Sequence, residues 1–473
     1  MSETLPTDVT GGAPVPRVST GDIAARIDRL PICRLQYGLA GITQIYWGGL
    51  IATDAVVARL FPFLWGPLGM STLQFSLMLS ANIGAGILVG EYLGGFLSDR
   101  FGRKKVLIAS ALVDAVFLWP LAYTNKFGIL LLFNFLYAIG MGFMLATNAV
   151  YMHEIIPPQG RHKIAMRVQL LTVVVILIPT VMAYYWIPAH YRWYIWGLVI
   201  IEVALTPLGL LLPESPRWLE GKGRVEDADK IVSRWESKIE GYKGQPLPAP
   251  DIASHPVVAT EHVPAKELFQ GRYRSRTVVL LICWLLAYPG LVYGATAYIP
   301  TFLVEHKWTP HEIFLWGGGG SIAAVPLVII VFYAVSFFGE RFERKTIIMI
   351  TGVLFGVALL VMLLFENNKP GVSAALLFVL VVGYLYLFNM YNYTAAAYPT
   401  RLRSVGTGWT DGIGHLGTFL GPPVIGVLFS STAAHGNYGW ILWCAILCGM
   451  VPAILLGVLG IRQRNVILEQ IST

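Results

Sequence analysis

The stretch "GGFLSDRFGRKKVLI", Gly94 to Ile108, places one acid and four bases between two runs of apolar side chains. A soluble core would exclude such charges. A lipid-spanning chain can carry them where the turn between two spans returns to water. A diluted copy, "SFFGERFERKTII", begins at Ser336. Aligned, Asp99 matches Glu340 and Arg103 matches Arg344, at an offset of 241 residues. A second motif repeats at nearly that distance. "YMHEIIPPQGR" supplies Tyr151, Glu154, Pro157 and Arg161; "YTAAAYPTRLR" supplies Tyr393, Ala396, Pro399 and Arg403, with the same internal spacing and an offset of 242. Two separate motifs repeating at one distance mark a tandem duplication.

The chain has 473 residues, 55% of them hydrophobic and 13% charged, with a mean hydropathy of +0.63. Soluble domains carry roughly 25% charged residues. The apolar excess falls into twelve blocks, roughly 35–62, 73–99, 105–123, 128–156, 163–187, 193–212, 277–304, 312–338, 346–366, 372–397, 404–430 and 438–460. Each is long enough to cross a hydrocarbon core of ~30 Å as a helix. Barrel strands would be shorter and would alternate. The expected fold is all-α and integral to the membrane, with twelve transmembrane helices in two six-helix bundles. The expected divisions are 1–34, a cytoplasmic N-terminal segment; 35–213, the first bundle; 214–276, a cytoplasmic linker with short helices; 277–460, the second bundle; and 461–473, a tail.

The net charge of +7 is a topology signal. Arg26, Arg29 and Arg34, then Arg100 to Lys105, Arg161 and Lys163, the bases from Arg217 to Arg276, Arg341 to Lys345, Arg401, Arg403 and Arg462 fall at every second connection. The alternate connections hold only Arg59, Lys126, Arg192, Lys307 and Lys369. Bases concentrate on the cytoplasmic side, so both termini are expected there, in the cell membrane. This placement argues against a nucleic-acid partner. The polar first 30 residues do not read as a signal peptide. Asp22 or Thr20 can cap a short helix through Ile23, Ile27 and Leu30 at the inner surface, and residues 224–240 have the apolar spacing of a surface helix.

Enzyme chemistry finds no footing. "HEII" and "HEIF" are followed at the fourth place by Pro157 and Leu315, so neither is a zinc motif. "GAGILVG" follows no strand, and there is no Gly-Lys-Ser/Thr phosphate loop. No metal and no cofactor is expected.

The Gly-x3-Asp-Arg-x-Gly-Arg-Lys stretch, Gly95 to Lys104, resembles the signature between helices 2 and 3 of the major facilitator superfamily. "PESPRWL", Pro213 to Leu219, and "YPTRLRS", Tyr398 to Ser404, are similar to motifs of its sugar-porter and metabolite–proton symporter branches. The resemblance implies a monomeric secondary active transporter working by alternating access. It would move a small organic solute (aromatic, organic acid or sugar-like), by proton-coupled symport. Facilitative uniport, export of aromatic or cationic compounds and a non-transporting sensor stay open as alternatives. It further implies an inner gate of Asp99, Arg103, Glu154, Arg161, Glu214 and Arg217 in the first half, with Glu340, Arg344 and Arg403 in the second. Ala396 stands where the family usually has Glu. Glu91, eight residues before Asp99, is read with this gate.

Charges inside spans are functional candidates because burying them in lipid is costly. Asp54 in the first span, and Asp411 with His415 one turn apart in the eleventh, are the candidates for proton coupling; pairing of Asp54 with Arg59 is the alternative. Asp114 and Glu202 are further intramembrane acids. Proton-coupled relatives often carry Arg in the fourth span where this chain has Asn134, which leaves uniport open. The candidate solute lining is Gln44, Tyr46, Trp47, Gln169, Tyr288, Tyr293, Tyr298, Asn389, Asn392 and Trp409. Rich in aromatic rings and amides, it suits a flat, partly apolar solute, or a cation through its aromatic faces.

Overall fold

The computed structural model describes residues 22–158, 161–251, 265–271, 273–291, 298–317, 321–338, 342–398, 400–432 and 439–463. Side chains at 54–59, 161–163, 401 and 403 also lie outside the described set, so nothing is placed for Asp54, Arg59, Arg161 or Arg403. Tyr293 and Glu340 lie outside it entirely.

The twelve spans are α1 (Arg34–Leu68); α2, a continuous rod of Thr72–Leu79, Ser80–Gly86 and Ile87–Phe101; α3 (Arg103–Leu118); α4 (Phe127–Ile155); α5 (Arg161–Trp186); α6 (Tyr191–Leu211); α7, in the pieces Tyr273–Tyr288 and Ile299–Glu305; α8 (Ala324–Phe338), preceded by Pro310–Trp316; α9 (Arg344–Leu364); α10 (Lys369–Ala396); α11 (Thr400–Thr432); and α12 (Gly439–Leu459). Over the described residues, eight of these are long and apolar enough to cross a membrane: α2 to α6, α9, α10 and α12.

Local chemistry sets the boundaries. Ser71 opens α2 with a capping box, its hydroxyl accepting from the Gln74 amide while Gln74 accepts from the Ser71 amide. Asn368 caps α10, with Pro370 in its first turn. In α7 the α-helix gives way after Tyr288 to a π turn over Pro289–Leu291, and the helix before α8 ends at Gly317. Pro422 and Pro423, by contrast, lie inside an unbroken α11. The run Ser80–Gly86 is a π turn within α2, a widening common at functional positions.

Two separate cores form. One buries Tyr46, Tyr137, Tyr151 and Tyr194 among the first six spans; the other buries Trp284, Phe355, Tyr386 and Tyr398 among the last six. The halves meet along two seams. In one, the outer part of α2 lies on α11 so closely that a methyl on Gly84 would stand 2.4 Å from the Phe419 Cα. In the other, Ala324, Val328 and Phe332 of α8 pack on Leu170 and Val173 of α5. The duplication relates α2 to α8 and α5 to α11, so the two seams are one contact seen from each half. Inward of Gly86, α2 and α11 diverge toward the face that carries the bases. Gly86, Gly90 and Gly94 serve the packing of α2 on α4, meeting Ala138, Ile139 and Phe143.

Candidate functional site

Four helices bring polar side chains together at the point where α2 and α11 part. α2 carries Glu91, α7 carries Trp284 and Tyr288, α10 carries Tyr391 and Thr394, and α11 carries Asp411 and His415. Gly414 makes the approach possible: a methyl there would lie 2.4 Å from the Tyr288 ring. The Tyr288 hydroxyl donates to Asp411 Oδ1 at 2.8 Å, shares a short hydrogen bond with the Tyr391 hydroxyl, and lies 3.4 Å from His415 Nε2. Glu91 Oε1 reaches the same His415 nitrogen at 3.3 Å. One ligand atom each from Glu91, Asp411 and His415 lie within 4.8 Å of one another. Trp284 backs the group, its ring 4.7 Å from Tyr391 and 5.2 Å from Tyr288, and its indole N–H on Thr394 at 2.9 Å.

At 1.5 Å of rise per residue, Glu91 and Asp411 stand about 15 Å in from the basic ends of their helices. Glu91 meets the imidazole directly, and Asp411 is joined to it through the Tyr288 hydroxyl. Such a set holds one acidic group more than basic groups, a costly arrangement inside a spanning segment and hence a functional candidate. It also joins the halves: Glu91 belongs to the first and Asp411 and His415 to the second.

Of the described solute candidates, Tyr288 alone enters this group. Tyr46 turns into the first core and donates to the Thr206 carbonyl at 3.3 Å, and Trp47 packs at that core's edge. Gln44 accepts from Thr172 at 3.0 Å, and Gln169 is buried on α5. Asn389 and Asn392 bond carbonyls of their own helix. Tyr298 lies on the far seam, 3.1 Å from Ser76 across the halves. Trp409 rests on Phe269 of the linker at 5.9 Å. Tyr46 and Tyr298 therefore serve packing and closure in this arrangement. Helical periodicity shows that a tyrosine faces inward but not which helix it meets.

The charged knot assembles within the first half. The Arg103 guanidinium forks onto Glu154, Nε to Oε2 and Nη2 to Oε1, both at 3.0 Å. Its Nη1 binds Asp99 at 2.9 Å and the Ser98 carbonyl at 2.8 Å. Glu214 Oε1 caps the start of α3, accepting from the amides of Arg103 (2.8 Å) and Lys104 (3.2 Å), and from the Ser215 amide. Gly102 makes that turn at φ 106°, beside the Glu214 carboxylate. Arg217 joins another group: it pairs with Asp28 of the helix Asp22–Asp28. In the second half, where Ala396 replaces the acid, Arg344 turns to the Asn392 carbonyl at 3.5 Å. Glu343 accepts from the Gln463 amide at 2.6 Å.

The helix Asp22–Asp28 docks on Val225–Lys243, the two surface helices read from the sequence. Arg26 binds Glu236 at 2.6 Å and Asp229 at 2.5 Å, and Arg29 binds Glu236 at 2.5 Å. The hydrogen bond from Arg26 holds Asp229 below the usual carboxylate range. Burial works against ionisation of Glu236, but Arg26 and Arg29 outweigh it and hold that group low as well.

The sequence signal missed at this site is Glu91, whose side chain leaves the charged knot and reaches His415 across the halves. Glu202, buried on α6, accepts from Thr53 of α1 at 3.2 Å. Asp114 is buried against Gly140 of α4. Asn134 donates to the Met78 carbonyl at 2.6 Å and accepts from Asn82 at 3.3 Å, a neutral clamp between α4 and α2.

A family model described as Major Facilitator Superfamily matches residues 45–422. The niacin transporter NiaP of Acinetobacter baylyi is 24% identical, over 95% of this chain and all of its own length. The inner membrane metabolite transport protein YdjE of Escherichia coli is 26% identical, over 95% of this chain and 98% of the relative. The 4-hydroxybenzoate transporter PcaK of A. baylyi is 26% identical, over 87% and 89%. Among solved structures, the inward open xylose transporter XylE from E. coli superposes with a TM-score of 0.65 over 93% of this chain and 98% of XylE, at 15% identity.

Proposed function

The chain belongs to the major facilitator superfamily, and from that premise we propose that this secondary transporter of small metabolites takes a flat organic solute by proton-coupled symport. The proton resides within Glu91, Asp411 and His415, and the solute lies against Tyr391 and Tyr288. The observation that carries this reading is the Glu91–His415 contact at 3.3 Å. It places a titratable pair across the two halves, so the proton it holds reports on whether they are together or apart. Two relatives bear the names of flat ring solutes, niacin and 4-hydroxybenzoate, which supports an aromatic substrate. The basic face is then cytoplasmic, with both termini on that side of the cell membrane. The halves are 35–213 and 277–460, working as a monomer. Asp99, Arg103, Glu154 and Glu214 act as the inner gate, and Arg344 is its counterpart.

Asn134 favours a second reading, facilitative uniport, because it leaves α4 with an amide clamp where a proton-linked arginine would stand. Proteoliposomes loaded with a panel of ring solutes separate the two. Symport gives accumulation under an imposed proton gradient. Glu91→Gln and Asp411→Asn abolish that accumulation and keep solute counterflow. Accumulation at the parent rate in both variants refutes the proton site; equilibration with no response to the gradient establishes uniport.

A further inference from the structure

The basic face carries a cavity of about 610 Å³ that takes no part in the central group. It lies between the end of α2, the start of α3, the end of α6 and the linker helix Val225–Lys243. Its lining divides in two. Phe101, Ile108, Leu210 and Trp218 form an apolar wall, of which Phe101 and Leu210 are exposed. Lys104, Lys105, Arg224 and Lys230 form a basic rim.

Among the described residues, two carboxylates line the cavity with these four bases. Asp227 is held by Arg224 at 2.7 Å and by Lys230 at 3.8 Å. Glu214 is committed to backbone amides. Lys104 leans on the Leu210 carbonyl at 2.8 Å, which keeps its ammonium at the mouth of the cavity. Two positive charges remain in excess, in a recess whose other wall ends in the exposed side chains of Phe101 and Leu210.

We propose that this cavity binds a phosphate-bearing anion at the membrane boundary. An acidic phospholipid headgroup, or a soluble phosphate ester of the same chemistry, would sit on the Lys104–Lys105–Arg224–Lys230 rim. A lipid adds acyl contact with Ile108, Leu210 and Phe101, which a soluble ester cannot. Basic recesses between spanning helices at this depth suit acidic headgroups. Because the rim takes residues from both the start of α3 and the linker, the bound anion ties the linker to the first half.

The full-length protein, stripped of lipid in detergent, is titrated with phosphatidylglycerol, with phosphatidylcholine and with glycerol 3-phosphate. Bound lipid is read by native mass spectrometry and stabilisation by thermal midpoint. Phosphatidylglycerol is expected to bind and to raise the midpoint, and phosphatidylcholine to do neither. The double variant Lys105→Gln/Lys230→Gln weakens phosphatidylglycerol binding by about thirtyfold, at ~1 kcal/mol per removed charge. Lys105→Arg/Lys230→Arg keeps it. Glycerol 3-phosphate stabilising as strongly as phosphatidylglycerol assigns the cavity to a soluble phosphate and overturns the lipid. Equal binding of phosphatidylcholine, or an unchanged glutamine variant, overturns the anion site itself.

Discussion

Gly102→Ala tests how the charged knot is built. Gly102 sits at φ 106°, ψ 155°, a region that side chains occupy at a cost of about 1–3 kcal/mol. The added methyl would stand 2.2 Å from Glu214 Oε2 and 2.8 Å from its Cδ. The carboxylate must swing away, and its Oε1 then leaves the amides of Arg103, Lys104 and Ser215, now at 2.8, 3.2 and 2.9 Å. Hydrogen bonds to a charged group contribute about 1.5–3 kcal/mol each. Strain plus the loss of one such bond gives a destabilisation of about 2.5–6 kcal/mol. The assay is equilibrium unfolding in mixed micelles, followed by tryptophan fluorescence, for Gly102→Ala, Glu214→Ala and the double variant. Removing Glu214 removes both the obstacle and the bonds. The loss in the double variant should therefore be smaller than the sum of the two single losses by at least ~1.5 kcal/mol. Additivity within about 0.5 kcal/mol would show that the methyl and the carboxylate never collide, and the reasoning would fail.

Two further outcomes follow from the geometry. Asp229 and Glu236 are held below their ordinary range by Arg26, so the docking of Asp22–Asp28 on Val225–Lys243 is complete at neutral pH. It is lost as pH falls below about 4, through the folded values of the two acids. Hydrogen exchange at residues 22–28 reads this directly; equal protection at pH 3.5 and pH 7 would refute it. Gly84→Ala sets a methyl 2.4 Å from the Phe419 Cα and 2.7 Å from its nitrogen, against backbone that cannot rotate away. The far seam should open, lengthening the distance between spin labels at Leu73 and Leu420 by several ångströms in a background without the native cysteines. An unchanged distance distribution would refute the close approach.

The spans and the duplication were legible because lipid imposes length and polarity on every segment separately. The knot was legible because Asp99 and Arg103 are one turn apart and the Tyr151–Pro157–Arg161 frame around Glu154 repeats in register, with Ala396 at the place of the acid. The central group was only half legible. Asp411 and His415 share a helix face, so spacing pairs them, but Glu91 lies more than three hundred residues away in sequence. Which face of α2 meets α11 is decided by the tertiary packing of two halves, and no local period records it. Tyr46 and Trp409 show the same limit. An aromatic on a spanning helix has the same local signature whether it packs a core, rests on a linker or faces a cavity. Asn134 could be read as a departure from an arginine, yet its clamp to Asn82 and Met78 emerges only where α4 crosses the π turn of α2.

The far seam and the basic face are made of different forces. Ser80 on the Phe419 carbonyl, Tyr298 on Ser76 and the bare backbone of Gly84 are short-range contacts, spent once the surfaces separate by an ångström or two. The ionic clusters opposite fade gradually with distance, over a Debye length of about 8 Å. Release on one side is thus abrupt, like a latch, while the ionic clusters of the basic face pair within the first half and with the linker.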